Sequence, residues 1–217
     1  MKNSLKLFFL ALLCLTVQNS VYGQKSIKSV QEVDLIGNVK DGIYRNGYFG
    51  FELVIPKDWI VADQETTKAT VDVGTDVLKT KNENKNKEVA DAVKRDIVLL
   101  HFSRKPIGTP GNAMFIMAIT KQLSAAVLPS MVAEATKSIF AGNPNITIVK
   151  DNRPVFISER KFAVVDFEIK VVDKSVSSRL FVTVVNGFAI SFSLSSVNEA
   201  DRLELEKVVE SIKFVKK

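Results

Sequence analysis

The clearest pattern in the sequence is an alternation of apolar and polar residues around two Asn-Gly dipeptides. The first, Asn46-Gly47, lies between a strand at residues 43–45 and a returning strand that ends at Pro56. Asn-Gly readily adopts the two positive φ angles of a type I′ turn, so this pattern predicts a tight β-hairpin. We expect Trp59, just beyond it, to close one end of the core. The apolar side of the returning strand consists of Phe49, Phe51, Leu53 and Ile55.

The second dipeptide, Asn186-Gly187, predicts a hairpin between residues 180–185 and 188–194. Residues 165–171, ahead of it, alternate in the same way. A period of two with one apolar face is typical of a sheet that is covered on that face. The expected inward residues are Phe188, Ile190, Phe192 and Leu194, with Ala189, Ser191 and Ser193 outward; in the earlier strand, Val165, Phe167, Ile169 and Val171 form the apolar face, and Asp166, Glu168 and Lys170 the polar face.

Two further segments, residues 97–102 and 114–119, are apolar at consecutive positions. Such strands are usually central in a sheet and covered on both faces. The sequence therefore predicts helices on both sides of the sheet, at least in part.

Helical spacing of apolar residues locates those helices. The last helix is expected to begin at a capping box in residues 196–199, with Ser196 as its first member, and a second helix is expected at residues 130–140, ended by Gly142 and Pro144. Weaker signals indicate helical turns between Gln64 and Arg95, separated by a polar stretch at residues 79–87. The predicted apolar stripes are Leu205, Val208, Val209 and Ile212 in the last helix, Met131, Ala135 and Ile139 in the second, and Ala69, Val73 and Val77 in the weaker one; Glu204, Glu206, Lys207 and Glu210 are expected to face water.

This order of elements predicts an α+β fold, a mostly antiparallel β-sheet flanked by α-helices. We expect one domain at residues 42–217, preceded by a partly ordered lead-in at residues 24–41.

The first 23 residues have the features of a secretory signal peptide. Lys2 and Lys6 precede an apolar run at residues 7–15, and Gly23 suits a cleavage site before Gln24. The run is about half of the ~20 residues that a membrane-spanning helix requires. A lipoprotein signal with Cys14 as the lipidated residue is the alternative, although the leucines before it differ from the small residues usual there. The expected product is secreted or periplasmic, with no integral membrane segment after cleavage.

Composition narrows the classes of function. Hydrophobic residues make up 46% of the chain and charged residues 25%, as in ordinary globular domains. The net charge is +6, of which +4 belongs to residues 24–217, so attraction to anionic surfaces is weak and nucleic acid is not an expected partner. Cys14 is the only cysteine, so the exported part has no disulfide, thiol nucleophile or cysteine-ligated zinc. A bacterial envelope or secreted protein fits this pattern.

At its two ends the predicted domain resembles PsbP-like proteins. The opening residues are Tyr44-Arg45-Asn46, Phe49-Gly50-Phe51, Ile55-Pro56 and Trp59; the closing ones are Gly187-Phe188 and residues 210–214. The resemblance implies an antiparallel sheet sandwiched by helices and a mostly non-catalytic family. One branch is an extrinsic subunit of photosystem II, a related nuclear branch binds the GTPase Ran, and many bacterial members have no assigned role. With one histidine and no evident metal cluster, this chain departs from the photosynthetic branch, so neither a photosystem or manganese role nor any functional residue is carried over to it.

Few residues are candidates for chemistry. His101 lies in a predicted strand without an evident nucleophile or acid beside it, so we interpret it as a sheet residue whose ring is bonded locally. Asp166 and Glu168, followed by Lys170, form a polar sheet face that could hold a small ligand or a divalent ion or, with a sugar between the carboxylates, hydrolyse a glycoside. A wet strand face is the simpler interpretation. No metal or cofactor site is predicted.

Other polar segments suggest contacts with partners. The glycine-rich loop at residues 108–112 lacks the lysine of a phosphate loop, and the basic run at residues 79–87 lacks interleaved aromatic residues. Tyr44, Arg45 and Tyr48 surround the first Asn-Gly turn, and tyrosine and arginine are favoured at binding hot spots. This turn is the candidate contact site, with cross-strand packing as the alternative.

The leading hypothesis is an exported, non-catalytic module that binds a protein or envelope component. The alternative is a small-ligand or metal-binding protein, or a hydrolase, that uses the polar face around Asp166 and Glu168. A third hypothesis is recruitment to a membrane surface through lysines, which salt would weaken.

Overall fold

The computed structural model describes residues 33–122, 124, 126–171 and 174–215. The predicted leader and the first part of the lead-in lie outside this range, as does the predicted placement of the Val171 side chain. The helices are α1 Val33–Ile36, α2 Gln64–Leu78, α3 Glu83–Val93, α4 Pro129–Phe140 and α5 Glu199–Glu210; the strands are β1 Asn38–Lys40, β2 Ile43–Asn46, β3 Phe51–Val54, β4 Ile60–Val61, β5 Asp96–Ser103, β6 Met114–Lys121, β7 Ile146–Ile157, β8 Arg160–Val171, β9 Lys174–Val185, β10 Phe188–Ser196 and β11 Lys213–Phe214.

The strands form two antiparallel sheets. The larger has the order β4-β5-β6-β10-β9-β8-β7, and the smaller has the order β1-β2-β3-β11. One face of the large sheet carries α2, α3 and α4, and the other face packs against the small sheet and α5. The predicted α+β fold, with helices on both sides of a mostly antiparallel sheet, is confirmed. The end of the predicted lead-in is ordered, because β1 pairs with β2.

The central strands are buried as the consecutive apolar residues predict. β5 and β6 pair inside the large sheet, where β5 lies between the short edge strand β4 and β6, and β6 lies next to the middle strand β10. The outward assignment of Ala189, Ser191 and Ser193 was wrong as a prediction of exposure, because every residue of β10 is buried. Helices cover this face as well, and the Ser191 hydroxyl donates to the Ala118 carbonyl oxygen at 3.4 Å.

The two predicted hairpins differ in their turns. Asn186 and Gly187 both have positive φ, +51° and +78°, and join β9 to β10 as the type I′ pattern predicts. The first turn is longer than predicted, because Asn46 pairs directly with Phe51. Gly50 supplies its positive φ of +68°, while the Asn46 side chain is buried and accepts from the Phe49 amide at 3.0 Å.

Helix positions are largely as predicted, but their details differ. The cap of α5 is Asn198, whose side chain accepts from the Asp201 amide, whereas Ser196 still belongs to β10. The predicted stripe of α5 is buried. In α4 and α2 the buried stripes are offset from those expected: they are Val132, Ala133, Thr136 and Phe140 in α4, and Thr70, Gly74 and Leu78 in α2.

Candidate functional site

Tyr44 does not lie at a contact surface. Its side chain is 1% exposed, and its hydroxyl donates to the Ile36 carbonyl oxygen at 2.5 Å and accepts from Asn46 Nδ2 at 3.0 Å. Burial raises the pKa of Tyr44 to about 12. The close approach depends on Gly37, where a Cβ would stand 2.6 Å from the Arg45 carbonyl oxygen and 2.7 Å from the Tyr44 hydroxyl. The inclusion of Tyr44 in the contact site was therefore wrong, because its ring and hydroxyl dock the segment ahead of β1.

The other two residues of that predicted site remain accessible. Arg45 is exposed and forms an ion pair with Glu52 across β2 and β3 at 3.1 Å. Tyr48 is half-buried and packs edge-to-face on Phe49 and Phe188, with ring centroids 4.8 and 6.0 Å away. Cross-strand and aromatic packing thus account for much of this turn, and a partner contact through Arg45 and Tyr48 stays a prediction.

Replacing Tyr44 by phenylalanine is expected to lower the free energy of unfolding by about 1–2 kcal/mol, because the half-buried Ile36 carbonyl loses its donor and the buried Asn46 amide loses one of its two acceptors. Urea denaturation measures the change. Tyr48→Phe is the matched control, since the Tyr48 hydroxyl makes no hydrogen bond within the described part of the chain, and its expected change is within about 0.5 kcal/mol. Equal effects of the two substitutions would contradict a docking role for Tyr44.

His101 is a core residue. It is 2% exposed in β5, its Nδ1 lies 3.3 Å from Thr67 Oγ1, and its Nε2 is buried without a hydrogen-bond partner among the described residues. Burial lowers the pKa of the ring to about 4. Thr67 provides the local contact that the sequence interpretation expects. No acid or second hydroxyl is bonded to the ring, so the geometry of a catalytic triad is not formed around it in the described residues.

The loop between β5 and β6 and the basic run have structural roles. Asn112 is buried and holds the loop, with its Oδ1 accepting from the Lys105 amide and its Nδ2 donating to the Lys105 carbonyl oxygen, both at 2.8 Å. The basic run is divided by the start of α3 at Glu83. Lys85 in this helix donates to the Ala141 carbonyl oxygen at 2.6 Å and so ties α3 to the end of α4.

The polar sheet face borders an open cleft of about 510 Å³. The ends of β8, β9 and β10 form its floor, α5 forms one wall, and β7 contributes Val149 and Lys150. Asp166 and Glu168 line the cleft, whereas Lys170 continues the row beyond it and is exposed. The volume is within the range of about 300–1,000 Å³ that is usual for ligand pockets.

Asp166 is 9% exposed and is held by two arginines. Arg179 Nε lies 2.6 Å from Asp166 Oδ1 and Arg179 Nη2 lies 3.1 Å from Oδ2, while Arg153 Nη2 lies 3.1 Å from Oδ2. The hydrogen bond from Arg179 to Asp166 raises the pKa of the guanidinium. Both carboxylate oxygens are therefore occupied by charged donors.

A second carboxylate extends this network onto α5. Glu206 accepts from Arg179 Nη1 and from Arg202 Nη1, and Arg202 Nε donates to Glu199 at 2.8 Å. The hydrogen bond to Glu199 raises the pKa of Arg202. We call the set Arg153, Asp166, Arg179, Arg202 and Glu206 the arginine–carboxylate network.

Sequence reasoning located Asp166 but missed the rest of the network. The antiparallel pairing of β8 with β9 places Asp166 opposite Arg179, but the sequence pattern began the second strand at residue 180 and so gave no signal for this pair. The contacts from Arg153 and from α5 depend on tertiary packing. The sequence prediction had placed Glu206 on the water side of its helix, but it is half-buried against the arginines.

The described residues contain no group of three or more histidine, cysteine, aspartate or glutamate side chains arranged to hold a metal ion. A search of the described helices also finds none that is both long enough and apolar enough to cross a membrane.

Among known proteins, those similar to this chain were found by comparing structures and not by comparing sequences. No protein-family model matches the chain, and no curated protein matches its sequence. A PsbP protein from the cyanobacterium Synechocystis is 16% identical, with a TM-score of 0.48, over 82% of this chain and 96% of that one. The PsbP-like fold that the sequence resemblance implies is thus represented among the similar structures.

Two other solved structures are similar at comparable levels. LpqN, involved in cell envelope biogenesis of Mycobacterium tuberculosis, is 10% identical with a TM-score of 0.45, over 76% of this chain and 83% of its own. The immunity protein TplEi of the T6SS of Pseudomonas aeruginosa, solved with a peptide, is 9% identical with a TM-score of 0.40, over 76% and 95%. At these identities and scores the likenesses carry no argument about function.

Proposed function

We propose that this protein is an exported, non-catalytic module that binds a protein or envelope component in the cleft between α5 and the ends of β8, β9 and β10. The observation that carries the proposal is the arginine–carboxylate network along this cleft. Guanidinium groups stay protonated at physiological pH, and Asp166 is fixed between two of them. The network fixes the position of these side chains along the cleft and leaves neither oxygen of Asp166 free of an arginine partner.

Blocking the cleft tests this function. Ser177 is exposed, lines the cleft and makes no side-chain hydrogen bond in the described part of the chain, so Ser177→Arg fills the space without breaking a contact. Ser138→Arg is the control, because Ser138 is exposed on α4 across the sheet and, among the described residues, its hydroxyl bonds only the Glu134 carbonyl oxygen of its own helix, at 3.0 Å. The full chain is immobilised, and capture from the solubilised envelope of its source cells is quantified by mass spectrometry.

We expect wild type and Ser138→Arg to capture the same component in equal amounts. Ser177→Arg should bind it about tenfold more weakly, which corresponds to about 1.4 kcal/mol of binding free energy. Equal capture by all three proteins would contradict the proposed site. Turnover of a substrate in a hydrolase panel, lost in Ser177→Arg, would contradict the non-catalytic role.

A further inference from the structure

A row of hydrogen-bonding groups crosses the floor of the cleft. Glu168 on β8 lies opposite Ser177 on β9, which lies opposite Ser196 on β10. Neighbouring strands are about 4.8 Å apart, so the row extends over about 10 Å. A row of this length suits an extended ligand with several polar groups better than a single ion.

The groups of this row retain hydrogen-bonding capacity. The hydroxyls of Ser177 and Ser196 make no hydrogen bond within the described residues, and Glu168 accepts only from Ser175 Oγ, at 3.2 Å. Ser177 and Glu168 are exposed, whereas Ser196 is 2% exposed and lies deepest in the row. Lys150, at the β7 side, forms no ion pair in the described part of the chain. A serine hydroxyl both donates and accepts, a carboxylate accepts and an ammonium donates, so the cleft offers both kinds of partner side by side.

The charges that line the cleft cancel. Lys150, Arg179 and Arg202 oppose Asp166, Glu168 and Glu206. An anionic ligand would meet the three carboxylates and a cationic ligand would meet the three basic groups, and a like-charge contact is unfavourable in a partly desolvated site. A neutral ligand meets neither penalty.

We infer that the cleft binds an uncharged, hydroxyl-rich ligand, a neutral glycan. This inference rests on the proposed function and specifies the envelope component. Sugar hydroxyls donate and accept at once, as the Glu168–Ser177–Ser196 row requires. The glycan lies along the row, with Lys150 and the outer edge of the arginine–carboxylate network as further donors.

An array of neutral oligosaccharides, with hits measured by isothermal titration calorimetry on the full chain, tests the inference. We expect Glu168→Gln and Ser177→Ala each to weaken binding of the best neutral glycan about tenfold, the effect of losing one good hydrogen bond. Lys170→Gln is the control on the same strand and face, outside the cleft, and should bind as wild type does. Affinity should be the same in 0.05 and 0.5 M NaCl, since the ligand carries no charge.

Three results would overturn the inference: no neutral glycan on the array binds, a bound glycan is unaffected by both row variants, or binding falls steeply with salt. If the envelope component captured by wild type and lost in Ser177→Arg proves to be a protein or a charged lipid, the glycan inference fails while the proposed binding function stands. If Ser177→Arg captures as wild type does, the proposed function fails as well.

Discussion

Replacing Arg179 by methionine is expected to lower the free energy of unfolding by about 3 kcal/mol. Arg179 bonds both oxygens of Asp166 and also contacts Glu206, and the three side chains are only 24%, 13% and 21% exposed. Methionine fills similar space but leaves two carboxylates with one arginine each. The loss therefore reflects desolvated charge that is no longer balanced, rather than a lost surface contact.

Equilibrium urea denaturation measures this effect, and Arg45→Met is its matched control. Arg45 pairs with Glu52, but these side chains are 48% and 33% exposed, so the expected loss is at most about 1 kcal/mol. A similar small loss in both variants would show that the arginine–carboxylate network contributes no more than an ordinary surface pair.

Acid is expected to destabilise the protein through His101 by about 3 kcal/mol. Burial lowers the pKa of this ring from 6.5 to about 4 in the folded protein. The unfolded chain therefore binds a proton at a higher pH than the folded one. The stability that the protein gains by keeping His101 neutral is fully present above about pH 6.5. It is lost as the pH falls toward 4 and changes little below that. Thr67, the only side chain bonded to the ring in the described residues, is uncharged and cannot compensate for the buried charge.

The measurement is the free energy of unfolding in urea between pH 7 and pH 4, for wild type and for His101→Gln. Carboxylates titrate in both proteins, so the difference between the two curves isolates His101. Between pH 7 and pH 4 the free energy of unfolding of the wild type should fall by about 3 kcal/mol more than that of His101→Gln. Parallel curves would mean that the ring is hydrated or charged in the folded protein.

The positions of the main strands could be predicted from the sequence, because a strand that is covered on one or both faces shows this in its local pattern of apolar residues. The consecutive apolar residues of β5 and β6 required cover on both faces, and both faces are covered. The same reasoning misjudged Ser191 and Ser193, since alternation identifies the two faces of a strand but not what covers the more polar one. Serine is small enough to be buried there, and the Ser191 hydroxyl bonds the backbone of the neighbouring strand.

The first Asn-Gly turn shows why local signals fail where a distant segment competes. Asn46 Nδ2 donates to the Leu35 carbonyl oxygen at 2.6 Å, so this side chain holds the segment before β1 instead of occupying a type I′ turn. Tyr44 was misassigned for the same reason. Its place beside the turn and the preference for tyrosine at binding hot spots suggested a contact role, but its hydroxyl bonds Ile36, in a segment for which the sequence pattern predicted no element.

Only the side of the candidate site that β8 contributes was predictable from the sequence. Alternation along β8 placed Asp166 and Glu168 on a polar face, and that face does border the cleft. The other side comes from α5, which follows a separate hairpin, and no periodic signal connects Glu206 or Arg202 with Asp166. Electrostatic partners that come together through tertiary packing are not encoded by spacing along the chain.

The tight fit at Gly37 has a consequence for recognising distant homologues. A methyl group at this position would collide with the backbone at Arg45, and the φ of +72° also disfavours any other residue. A homologue that fastens its leading segment in the same way must keep glycine here, together with the tyrosine and asparagine that it contacts. The spacing of Gly37, Tyr44 and Asn46 is thus a compact signature, readable in sequences too diverged to align over their full length.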